Sequence, residues 1–120
     1  MGLRKAGMRT VALKEWEQGR TEDETGYAQV YSLAQANIYP LTGSTAALLY
    51  GERVKKMRLM LVPPETMLHE RMGVCVDAPP ESPPDYRITG AIEVYRTHVR
   101  AHLERIREAE EADGGGPDAV

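Results

Sequence analysis

The chain has 120 residues and a formal charge of −3, with no Phe, one Trp and one Cys. That length supplies one modest hydrophobic core, to be filled by Leu, Val, Ile, Met, Ala and Tyr. No run approaches the roughly 18 apolar residues of a membrane span, the first seven residues lack the apolar stretch of a signal peptide, and Cys75 has no partner for an internal disulfide. These features point to a soluble cytosolic protein.

Charge is distributed in blocks. Arg4, Lys5, Arg9 and Lys14 make the start basic, and Glu17, Glu22, Asp23 and Glu24 make residues 17–26 acidic. Arg53, Lys55, Lys56 and Arg58 form a basic cluster, and Glu108, Glu110, Glu111 and Asp113 an acidic tail. Blocks of alternating sign suit contact between copies of one protein, although each also suits a solvated face. No basic stripe interleaved with aromatics speaks for sequence-specific nucleic-acid binding.

In chain order, residues 1–8 read as a flexible start. Residues 10–16 alternate, with Val11 and Leu13 on one face, and predict a strand. Residues 17–26 carry two glycines and no apolar side chain, which predicts a long flexible loop. Residues 27–31 and 34–41 read as two short strands or one broken strand. Pro40 cannot donate to a ladder, so it ends the strand or marks an edge. Thr42, Ser44 and Thr45 offer capping hydroxyls to a helix of about two turns, with Gly51 as its stop.

Residues 53–62 predict a central strand, because both faces of its distal half are apolar, and Pro63-Pro64 ends it. A short strand is expected within 68–77. The four prolines of 78–85 predict a stiff, extended loop. Residues 86–95 alternate again, with Gly90 at a bulge or bend. Residues 97–106 fit either a strand or a helical face. Residues 107–120 are acidic, then Gly-rich, and read as a disordered tail. The pattern is mainly β: a small antiparallel barrel (or sandwich) of about six strands with one short helix, in a single domain over 9–106.

Catalytic and cofactor motifs are absent: no phosphate-binding loop, no His-Glu-x-x-His, no paired CxxC, no GxSxG. His98 and His102 stand at metal-ligand spacing only on a helix and lack a third ligand, so they read as solvated surface histidines. Glu22, Asp23 and Glu24 do not match a calcium loop. Cys75, between Val74 and Val76, reads as a small buried hydrophobe. Met57, Met60, Met67 and Met72 read as core filler, and Trp16 as an interface anchor or core closure. With no reactive group in its polar loops, the chain reads as a binding or assembly protein rather than an enzyme.

The order of segments over roughly 9–106 resembles the head-closure, or head–tail connector, family of tailed bacteriophages. The matching pieces are the opening TVALKEW, the polar loop with its turn at Asp23-Glu24-Thr25-Gly26, and Ile38-Tyr39-Pro40-Leu41-Thr42-Gly43-Ser44. AALLYGERV, the strand KMRLMLVP, MGVCV and the closing strands from Tyr86 follow. The proline-rich 78–85 and the acidic tail are longer than that pattern.

The resemblance implies a small β-barrel that forms a homo-oligomeric ring below a portal or adaptor. Such a ring closes the DNA-filled head and offers a docking surface to a tail-completion or tail protein. Contact with packaged DNA would be transient and non-specific. It implies residence in the bacterial host cytoplasm during assembly, then in the virion neck. A channel plug maps to Glu17, Arg20, Glu22, Asp23, Glu24, Thr25 and Gly26. Inter-subunit contacts map to Arg53, Lys55, Lys56 and Arg58, which could meet the acidic loop of a neighbour. A monomer or weak oligomer is expected in isolation. The alternatives are another neck, minor capsid or tail-completion protein, or a small nucleic-acid-binding β-barrel, which would need aromatics beside the basic cluster.

Overall fold

Alternating apolar residues face one way from every strand of this chain, and the strands close on themselves to bury them. The structure, a computed structural model, describes residues 7–16, 27–28 and 30–106. Six strands, β1 (Arg9–Lys14), β2 (Ser32–Pro40), β3 (Met57–Val62), β4 (Gly73–Cys75), β5 (Tyr86–Val94) and β6 (Val99–Arg105), and one helix, α1 (Ser44–Tyr50), follow in order. The strands form a closed barrel in the order β1-β2-β3-β6-β5-β4, every pair antiparallel. This is the expected fold class.

The barrel is filled with side chains. Val11 and Leu13 of β1, Ala36 of β2, Met60 and Val62 of β3, Val74 of β4, Tyr86 and Ile88 of β5, and Val99, Ala101 and Leu103 of β6 form one buried cluster. The opposite face of β3 is buried as well. Met57, Leu59 and Leu61 pack with Leu41 and with Ala46 of α1, and Tyr39, Tyr50 and Val54 join them. The doubly apolar pattern of β3 therefore marks a strand with the core on one side and a helical lid on the other.

Several local expectations change. Residues 53–56 are not strand but part of a 3-10 helix, Gly51–Lys56. Gly51 stops α1 with φ 58, its N–H returning to the Ala47 carbonyl. Arg53, Lys55 and Lys56 have no apolar face to give a sheet. The cap of α1 is Gly43, and no side-chain hydroxyl bonds to the helix start. Of residues 27–31, those described lie in no strand of their own, and Tyr27 makes a single bridge with Trp16. Pro40 is the last residue of β2, which is paired on both sides, so it ends a strand rather than marking an edge. Residues 97–106 resolve as strand over Val99–Arg105, alternating buried and half-exposed.

The proline-rich 78–85 is folded back rather than extended, with a turn in which the Ser82 N–H bonds to the Pro79 carbonyl. Its organiser is Asp85, 1% exposed. The Asp85 carboxylate accepts from the backbone N–H groups of Val76 at 2.9 Å, Asp77 at 3.0 Å and Ala78 at 3.3 Å. The buried Lys14 Nζ donates to the Ser82 carbonyl at 2.7 Å, pinning the same turn to the outside of β1. Cys75 lies beside it among Ala12 and Ala78. Gly90 marks the irregularity in β5: its φ is 77, and the register with β6 shifts between Thr89 and Glu93.

Candidate functional site

Among the described residues, exposed apolar side chains include a group at each end of the β2–β3 ribbon, besides Val30, Tyr31, Val94 and Tyr95. At the Pro40 end lies α1. Spacing of four residues puts Ala46 and Tyr50 on its inner face, so the adjacent Leu48 and Leu49 turn outward, 87% and 66% exposed. The lid is tied down at its edge. The Tyr50 hydroxyl lies 2.7 Å from Nδ1 of His102, and the Arg53 guanidinium grips Glu104 of β6 with two bonds of 2.9 and 2.7 Å. That fork holds the Glu104 carboxyl below its ordinary range against the opposing effect of burial, while burial pushes His102 down.

At the Ser32 end, an open groove of about 460 Å³ runs between β1–β2 and the segment after β3. Leu13, Leu33, Ala34, Pro63 and Met67 supply its apolar lining, and Glu65 is its one charged lining residue among the described residues. Leu33 and Met67 are 60% and 72% exposed. A cleft of similar volume at another place on the barrel is lined by Trp16, Tyr27, Glu70, Arg71 and Arg87. There the Trp16 and Tyr27 rings meet edge to face at 5.1 Å.

The basic cluster does not form one patch. Arg53 is engaged with Glu104, and Lys55 with Glu52 at 3.0 Å. Lys56 is exposed with no ion-pair partner among the described residues. Arg58 sits on the other face of β3, its guanidinium 5.9 Å from the centre of the Tyr86 ring. The residues mapped to a plug, Glu17, Arg20, Glu22, Asp23, Glu24, Thr25 and Gly26, lie outside the described residues, as does the tail from 107 onward.

His98 and His102 are not solvated surface groups. His98 is buried under Tyr95, the rings stacked at 4.9 Å, and His102 is held by Tyr50. Met67 is not core filler, unlike the buried Met57, Met60 and Met72. Cys75 is buried, and burial pushes its thiol up to about 11. Among the described residues, no three His, Cys, Asp or Glu side chains gather as a metal site, and no helix is long and apolar enough to cross a membrane. His69 pairs with Glu15 at 2.8 Å on the surface. The Leu48–Leu49 pair carried a signal of its own, because a short helix over one wall cannot bury two adjacent leucines. The groove carried none, since its two sides are some thirty residues apart.

Fold and surface together define a small closed antiparallel β-barrel with a helical lid. No family model matches the chain, and no curated protein matches its sequence. Among solved structures, it is similar to the solution structure of protein SF1141 from Shigella flexneri 2a. The TM-score is 0.57 at 16% identity, over 88% of this chain and 99% of that one. At that identity the likeness is one of fold.

Proposed function

We propose that the chain is a non-enzymatic structural subunit of the head–tail junction of a tailed bacteriophage. In this reading, copies form a ring below the portal or adaptor that closes the DNA-filled head and docks the tail. The protein would assemble in the cytoplasm of the host and remain in the virion neck.

One observation carries the reading: a side-chain-filled barrel on which, among the described residues, unlike apolar groups are exposed at separate places, Leu48 with Leu49 and Leu33 with Met67. A head-to-tail contact between identical subunits needs two unlike surfaces on each copy, whereas a two-fold dimer uses one surface twice. The order of segments in the sequence supplies the phage assignment.

Electron microscopy of lysates from a phage or prophage lacking this gene tests it. Heads that have lost their DNA, beside unattached tails, are expected. Normally joined virions would refute the proposal.

A further inference from the structure

We propose that the groove between β2 and residues 63–67 receives helix α1 of a second copy of this chain. The inference deepens the ring reading and rests on it. Helix α1 contains no acidic residue in its first turn and no basic residue in its last, so its exposed surface is uncharged, and the large apolar side chains on it are Leu48 and Leu49. The groove offers matching chemistry in Leu33, Pro63 and Met67. Its volume of about 460 Å³ lies within the range of clefts that enclose a compact apolar group, on the order of 300–1,000 Å³.

Charge gives the contact a direction. Glu65 lines the groove and has no ion-pair partner among the described residues. Lys56 follows α1 with none either, whereas the neighbouring Lys55 is already paired with Glu52. An apolar groove with an unpaired acid thus faces an apolar helix with an unpaired base, and each would gain a partner when copies meet.

A chain's own α1 does not reach its groove. Its α1 packs on Leu41, Met57 and Leu59 at the far end of the ribbon. A helix seated in a neighbour's groove leaves that neighbour's helix free for the next copy, so the contact propagates until it closes. Four or five side chains make a patch smaller than the roughly 1,000 Å² of a stable interface. Association of the isolated protein is therefore weak and concentration-dependent.

Cross-linking of the full chain tests this. Leu48→Cys and Met67→Cys are made singly and together, and treated with a short bismaleimide at high protein concentration; the native Cys75, 2% exposed, serves as the unreactive background. Mixing the two single variants should give a cross-linked dimer, neither alone should, and the double variant should give a ladder beyond dimer. Adding Leu49→Asp should abolish the ladder.

Cross-links between like positions, or none between the two introduced thiols as concentration rises, would overturn the helix-in-groove contact. Joined virions assembled from the double variant without a ladder would do the same while leaving the neck assignment intact. A ladder from purified protein alongside normal virions from the gene deletion would overturn the neck assignment and leave the contact standing.

Discussion

The Tyr50 hydroxyl and Nδ1 of His102 lie 2.7 Å apart, joining the end of the helical lid to a strand fifty-two positions later. The rings meet edge to face at 5.6 Å. Burial holds the Tyr50 hydroxyl above its ordinary value, so it keeps its proton. Burial also depresses His102, reinforced by the Arg100 guanidinium and opposed by Glu93. The unfolded chain therefore takes up this proton near pH 6.5 before the folded chain does. The stability conferred by the neutral imidazole is complete above that pH and is lost as pH falls toward the folded-state value. Melting temperature should decline from about pH 7.5 to about pH 5, and His102→Asn should flatten that slope. Tyr50→Phe should cost about 1 kcal/mol at neutral pH.

Glu104 governs a lower pH range. Hydrogen bonding from Arg53 holds its carboxyl below 4.5, the value it has when unperturbed, so its contribution is present above that pH and drains away as pH falls through the folded-state value. Arg53→Gln should move the onset of acid unfolding upward, followed by far-ultraviolet circular dichroism. The Arg53 side chain is half exposed, so the shift should shrink in added salt.

Asp85 should be the most costly single polar position outside the barrel interior. Its carboxylate satisfies three backbone N–H groups, and an orphaned buried donor costs about 1–3 kcal/mol. Asp85→Ala should therefore lower stability by about 3 kcal/mol or more in urea unfolding. Asp85→Asn, which retains one acceptor oxygen, should cost clearly less. Equal losses in the two variants would show that the bonds contribute little.

Gly90 and Tyr50 should be energetically coupled. A Cβ at Gly90 would lie 2.8 Å from the Tyr50 hydroxyl oxygen, on a backbone with φ 77. Gly90→Ala should cost about 1–3 kcal/mol, and part of that cost should vanish in a Tyr50→Phe background, where the obstructing oxygen is gone. A double-mutant cycle measures the difference. Additive losses would mean that the backbone conformation alone is responsible.

Cys75 should resist alkylation at about pH 8, because the thiolate is the reacting form and burial pushes its pKa up to about 11. Labelling by iodoacetamide should be slow in the folded protein and fast in urea. Rapid labelling of the folded chain would show that β4 opens readily.

The barrel was legible where residues alternate. Val11 with Leu13, Met60 with Val62, and Val99, Ala101 and Leu103 each turn a single face inward. The two apolar faces of β3 also announced a central element, although not that one face lies under a helix. Nothing in the sequence separates residues 53–56 from the strand that follows them, so the turn there is not legible. Their 3-10 turn follows from Gly51 and from the pairing of Arg53 with Glu104, a partner fifty-one residues away. His98 and His102 were misplaced for the same reason: what buries them, Tyr95 and Tyr50, is supplied by the fold. The basic cluster was visible as four charges, but strand alternation sends Arg58 away from the rest. The groove is assembled from segments that only barrel closure brings together.

Closure has a further consequence for how copies of this chain could meet at high concentration. Each strand has a bonded neighbour on both sides, β1 joining β2 to β4. An open sheet ends in a row of unsatisfied backbone donors and acceptors, which will template pairing with almost any extended chain. Here no whole strand is left as an edge, although part of β2 has no partner in β3 and part of β5 none in β4, so contacts between copies fall mainly to side chains. Recognition is then written in residue identity, and crowding alone does not drive the chain toward fibres.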